Sequence, residues 1–523
     1  MPALVGQPSG VRLATSVPLN GGLGGCVGAV KIRLVNAGFI VRILRLRAPI
    51  TRVLSCRVQS CGFLRWKCSM RNLFPALGAL LGLLAVAGCA SYHALPLPEH
   101  ARLAASLSGI VHVMQEKGAD AEPINLKQPL DVNRIGLLAI LNAPELAGEH
   151  ARMDLARANL IQSALLPNPS AALGYAALLG GPGTTGAFTA SLTEDIASLV
   201  TYRRRVASAR AQTEKVNADL LWREWQVAQK ARLLAIDLYW GARSIASAQA
   251  GLRHTASAAA AVRSAVDAND ADLALLSSLR DRQAQAAQSL ETMRETQLAN
   301  WQKLDGLLGL QPDIRFAIAR PDVPMPARGP RTRISAVQHR RPDLIGLRLG
   351  YRSADERVRA AILGQFPALI LGGSWGSDTS AVRSGGPTAT FDLPVFNRNQ
   401  GQIAQARATR LLLREQYRQQ LDQTAAAIRG LYAQSQRIDA ALTAARGAAN
   451  AAQARVATAR AAYARRDLDR LSLIRFTSAA TRRNLDLFRL ERARDEVRVA
   501  LALELGWGLP ATRVAPRHME NAS

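Results

Sequence analysis

Phe188-Thr189-Ala190-Ser191-Leu192-Thr193 alternates apolar and polar residues one by one, and from about residue 200 that alternation gives way to a repeat of seven. In a strand, a period of two sends Phe188, Ala190 and Leu192 to one face and Thr189, Ser191 and Thr193 to the other, so the strand divides two media. Over 200–254, Leu220, Val227, Leu234 and Gly241 recur every seven residues, with Ala231, Leu238, Ile245 and Leu252 as a companion row. Such a row pair is the seam of a coiled helix.

The same succession recurs at a period near 200 residues. Pro167-Asn168-Pro169-Ser170 precedes a Gly- and Ala-rich run through Tyr175, and Phe366-Pro367-Ala368 precedes a similar run through Trp375. Thr388 to Leu393 alternates as 188–193 does, with Ala389, Phe391 and Leu393 on the apolar face. The expected turns are Gly180–Gly186 and a longer polar loop from Ser377 to Pro387. Leu421, Ile428, Ser435 and Leu442 form the second seam, with Ala425 and Tyr432 beside it. Ala209-Arg210 recurs as Ala406-Arg407, Asp272-Leu273 as Asp467-Leu468, and Leu308-Gly309 as Leu505-Gly506. Polar breaks at 267–272 and 465–467 fold each helical run into a hairpin. Each descending arm, about 67 residues, spans ~100 Å at the rise of an α-helix. The expected fold is mainly α with membrane β: an internally duplicated protomer of two β-hairpins, four strands in all, and two long coiled helical hairpins. Four strands do not close a barrel of useful bore, so a membrane reading demands oligomerisation. The competing reading of the strands is one edge of a soluble sandwich.

The 523 residues carry 66 Lys+Arg against 39 Asp+Glu, a formal charge of +27, and an apolar fraction of 48% that argues against wholesale disorder. Ten basic residues and no acid fall in 1–69, which is expected to be an upstream extension foreign to the protein. Met70-Arg71, an apolar run from Leu73 to Ala87, and Val86-Ala87-Gly88-Cys89 have the layout of a secretory signal. The last four residues resemble a bacterial lipobox, with Cys89 the lipidated residue and 70–88 the removed peptide. Ala90, in place of Asp, resembles lipoproteins of the outer membrane. All five cysteines lie at or before Cys89 and the seven histidines are scattered, which argues against a zinc or thiol enzyme. No nucleophile–base set, phosphate loop or cofactor motif occurs, so neither catalysis nor a cofactor is expected. The remaining positive charge reads as solvated helix surface rather than a nucleic-acid site. The further expected segments are an anchor and linker (89–129), a first repeat (130–310) opening with one helix over 130–166, a Pro-rich connector (311–333), a second repeat (334–509) and a disordered tail (510–523).

From about Leu130 to Leu509 the chain resembles the TolC-type outer-membrane efflux proteins, and the lipobox resembles their lipid-anchored branch. The residues that carry the likeness are Leu165-Leu166-Pro167-Asn168-Pro169-Ser170, Arg341-Pro342-Asp343-Leu344, and Pro394-Val395-Phe396-Asn397-Arg398-Asn399-Gln400-Gly401. The last looks most like members serving heavy-metal cation efflux. Ile196 to Tyr202 departs from the family's Pro-containing strand-to-helix turn. The resemblance implies a homotrimer with a twelve-stranded barrel in outer-membrane lipid and a periplasmic tunnel. It also implies a periplasmic adaptor and an inner-membrane pump of the RND type, or an ABC transporter. Conveyance of small molecules or metal cations is the leading function. A type I secretion exit or a non-pore, lipid-anchored scaffold are the alternatives. In such a fold the hairpin tips form the entrance, where Asp267, Asp270 and Asp272 are candidate gate carboxylates and Arg465 and Arg466 their candidate partners. Asn269, Leu273, Asp467 and Leu468 are candidate adaptor contacts. Tyr175, Trp375 and Phe396 are candidates for the lipid–water boundary.

Overall fold

A computed structural model of the chain describes residues 92–110, 128–183, 185–325, 330–367 and 369–508. The chain divides into units 1–96 and 97–523. In the first, residues 92–96 are exposed and irregular. The second runs α1 (Val132–Asn142), α2 (Pro144–Ala164), β1 (Ser170–Ala176), β2 (Ala187–Asp195), α3 (Ile196–Asp267), α4 (Leu273–Leu308), α5 (Pro330–Val337), α6 (Pro342–Leu363), β3 (Leu369–Ser377), β4 (Arg383–Phe391), α7 (Gln400–Ala464) and α8 (Arg470–Leu505).

The two longest helices follow from composition. Neither α3, with 72 residues, nor α7, with 65, contains a proline, so no backbone bond is lost along roughly 100 Å. Asp195 caps α3 by accepting from the amide of Ser198, so β2 passes straight into helix with no proline between them. That explains the departure at 196–202: an aspartate cap does here what a proline turn would do. The second seam runs further than 421–442, because Ala449 and Val456 continue it and are buried. Gly309 and Gly506 end α4 and α8 in the left-handed conformation that a side chain disfavours.

Two expectations fail locally. The single helix over 130–166 is two, since Pro144 has no N–H to extend α1 and instead starts α2. Arg383–Pro387 is strand rather than loop, leaving the turn at 378–382. The Pro-rich connector carries structure of its own: Ile318 bridges Leu130, and α5 starts within it at Pro330.

The helices pack into a wall. α3 is its spine, packed on α4 and α8 lower down and on α2 and α6 nearer the sheet, while α7 packs on α6 and α8. The main core joins Ile135 and Leu138 of α1 to Ala231, Ala235 and Leu238 of α3 and to Leu304 and Leu308 of α4, all essentially solvent-free. A second core gathers Leu344, Ile428 and Leu501 from α6, α7 and α8. Beside it, buried Arg341 forks onto Asp343 (3.0 and 2.7 Å), bonds Glu504 and stacks on Trp222 at 4.6 Å. Burial works against that guanidinium's charge, but the two carboxylates raise its pKa above the usual arginine value.

Candidate functional site

The sheet is antiparallel in the order β1-β2-β3-β4. Leu173 pairs with Ala190, Ala190 with Trp375 and Trp375 with Gly385; two residues lower, Ala171, Leu192, Gly373 and Pro387 align likewise. Partners in register share a face, so one side gathers Leu173, Tyr175, Phe188, Leu192, Leu371, Trp375 and Phe391. The other presents Thr189, Ser191, Thr193, Ser374, Ser384, Thr388 and Thr390 among glycines; Glu194, Ser377 and Arg383 on the apolar face and Ile370 on the polar one are the exceptions. Gly372 is obligatory, since a Cβ there would strike the Leu192 carbonyl. The apolar residues are not covered by the chain: Leu173 is 78% exposed, Tyr175 74% and Trp375 59%. A contiguous bare apolar face of this kind marks contact with lipid or protein. Nine residues of β3 extend ~30 Å, close to the apolar band of a membrane barrel. Aromatic rings lie at both ends of the face. Tyr175, Phe188 and Trp375 stand at the turn end, the last two edge-to-face at 6.2 Å. Phe366, Phe391 and Phe396 stand at the helix end. No helix among the described residues is long and apolar enough to cross a membrane.

At the far end of the wall the two hairpin tips share one geometry. Asn269 takes a left-handed conformation; its amide bonds the Val266 carbonyl and that of Asp270 the Ala265 carbonyl. Arg466 is also left-handed, with its amide on Tyr463 and that of Asp467 on Ala462. Both are Schellman closures built without glycine. Three residues on, Asp272 caps α4 through the Ala274 amide (2.9 Å) and Asp469 caps α8 through Ser472 (2.8 Å). The counterpart of Asp272 is therefore Asp469, not Asp467, and the offset at the tips is the 197 found at Leu308 and Leu505.

A polar cluster joins α3 to α8 midway along the wall. Arg492 Nε lies 2.8 Å from Asp237 but aims its hydrogen bond at Glu496, at 2.6 Å, leaving that Asp237 oxygen without a donor. Burial, and then the neighbouring Glu496, push the Asp237 carboxyl up to about 7. One turn away the Trp240 indole donates to Asp495, which Arg494 also holds.

Residues 334–506 match the outer membrane efflux protein family. That stretch is the second half of the duplicated chain, from the end of α5 through α8. Solved structures share the efflux-protein fold over most of the chain. CusC is 15% identical, covers 74% of this chain and 95% of its own, and gives a TM-score of 0.60. The outer-membrane channel OprN is 16% identical over 80% of this chain and 99% of its own, also at 0.60. The outer membrane protein VceC of Vibrio cholerae is 18% identical over 72% and 96%, at 0.58. A comparison with curated proteins yields no match.

The candidate residues fall into separate places. Cys89 lies outside the described residues. Asp267 and Asp270 are exposed at the first tip, and no ion pair within the described chain engages them. The Asp272 carboxylate is occupied as a cap. Arg465 pairs with Asp467 of its own turn at 2.9 Å rather than with an aspartate of the other tip. Asn269 and Leu273 are exposed and Leu468 is half-buried. Tyr175 and Trp375 share the apolar face, and Phe396 projects below it at 92% exposure. Sequence reading missed Asp469, although the Asp-x-x-Ser pattern at a helix start was available, and it missed the Asp237–Arg492–Glu496 cluster, which spans more than 250 positions without a local signal.

Proposed function

We propose that the protein is the outer-membrane conduit of a tripartite efflux system, a passive channel whose walls come from three copies. One observation carries the reading: a four-stranded sheet, apolar on one face and polar on the other, with two edges open and long helices leaving its lower rim. β4 runs antiparallel to β1, so the β4 edge of one copy suits the β1 edge of the next, and repetition closes a ring without a free edge. Three copies give twelve strands, internally duplicated in each protomer, with Thr and Ser facing the lumen and the aromatic residues at the two boundaries. Cys89 carries the lipid anchor. The hairpin tips meet a periplasmic adaptor, and an inner-membrane RND-type pump or ABC transporter supplies energy. Small molecules or metal cations are the cargo. Catalysis has no part in it.

Reconstitution into planar bilayers tests this. The expected result is stepwise conductance from a trimer that dissociates only on heating. Leu371→Arg, on the apolar face, should cost roughly 2–4 kcal/mol of insertion near the midplane and abolish channels, whereas Ser374→Arg should insert and alter conductance. A monomer without conductance would overturn the proposal.

A further inference from the structure

Two cavities meet where the strands hand over to the helices. The upper, about 990 Å³, is walled by Ile196, Val200, Leu363, Phe366, Leu369 and Phe391. Leu369 and Phe391 are register partners on the bare apolar face of the sheet, so the cavity continues that face downward. Phe366, Phe391 and Leu393 around it are each more than half exposed, which leaves an apolar groove that this chain does not fill.

The lower cavity, about 670 Å³, shares the walls at Thr201 and Gly364 and has the opposite chemistry. Arg205, Arg357, Gln402 and Gln405 line it, and no carboxylate does. Arg357 is exposed and spends only its Nε donor, on the Ser208 hydroxyl at 3.3 Å. Arg205 stacks on Tyr202 and bonds the Ser163 and Leu165 carbonyls, so its charge is held in place without being neutralised. Thr201 and Arg205 lie only a turn or two below the start of α3 at Ile196.

We propose that this double cavity is a seat for one phospholipid of the periplasmic leaflet, its acyl chain in the apolar part and its phosphodiester against Arg357 and Arg205. The order matches how such a lipid presents itself at this depth, hydrocarbon toward the sheet and anionic headgroup toward the helices. Phosphate is drawn by guanidinium donors, and the one carboxylate lining the double cavity, Asp392, belongs to its upper part and not to the part that holds Arg357 and Arg205. The proposal rests on the membrane reading of the sheet.

The test is phosphate analysis of full-length protein exchanged out of vesicles of phosphatidylethanolamine and phosphatidylglycerol into detergent, beside flotation with the same vesicles. Wild type should retain stoichiometric phospholipid. Val200→Trp, at a half-exposed position, should block the groove, and Arg357→Gln should weaken the headgroup hold; both should lose the retained phosphate while still floating. Equal retention by both variants overturns the proposal. Photocrosslinking from a benzophenone at Phe366 to peptides of a second copy, rather than to lipid, would also overturn it, by making the groove a subunit interface. Failure of wild type to float would instead defeat the membrane reading.

Discussion

Asp237 holds its proton to about pH 7 because burial and the adjacent Glu496 outweigh the single guanidinium of Arg492. The folded state thus keeps a proton that the unfolded chain loses near pH 4, and the stability from this group is lost as pH rises toward and through 7. Asp237→Asn mimics the protonated acid at every pH. It should raise the thermal midpoint by roughly 2–4 °C at pH 8 and by much less at pH 5, as differential scanning calorimetry would show; an equal gain at both values would mean that the carboxyl is already charged at pH 5. Asp469 has the opposite sign. The Ser472 hydroxyl and then its amide lower its pKa, so its contribution is present above the usual aspartate value and lost as pH falls through the lowered one. Arg341 shows what residue-level reading reaches. Its motif with Pro342 and Asp343 is visible in the sequence, but the third partner, Glu504, sits 163 positions away and only folding brings it there.

Among the elements, the seams were legible because a heptad is a local property: Val227, Leu234 and Ala231, and later Ile428, Ser435 and Leu442, are buried where the spacing places them. The β4 strand was only half legible. Its first residues, Arg-Ser-Gly-Gly-Pro, have poor strand propensity, yet pairing with Ser377 to Gly373 holds them extended, so tertiary context overrides local preference. Pro144 was the reverse case, a local signal in plain view that outweighs the apolar pattern on either side. The tips show element boundaries set by side chains. Asp272→Ala removes the α4 cap and should cost ~1 kcal/mol locally, read as faster amide exchange at 273–276 with the core amides unchanged. Unaltered exchange there would show that the cap bond adds nothing to the turn.

For the whole molecule, the tips separate carboxylates that cap helices from carboxylates that do not. Asp267 and Asp270 are free of capping duty, so Asp267→Ala with Asp270→Ala should raise single-channel conductance and weaken cation preference without loosening the turn. Unchanged conductance and ion preference would remove both from the entrance. The two-faced character of the sheet was readable from alternation alone, whereas the groove at its lower rim was not, because it is assembled from three strand–helix junctions that are far apart in the chain. A last consequence belongs to the open rims of β1 and β4. In the proposed ring, a wall segment that depends on its neighbours at both sides passes its injuries on to them, so in a cell making sound and edge-damaged copies together most finished rings would contain at least one bad member. Inheritance of such a lesion would be dominant, and a small dose of the faulty gene would silence many good ones.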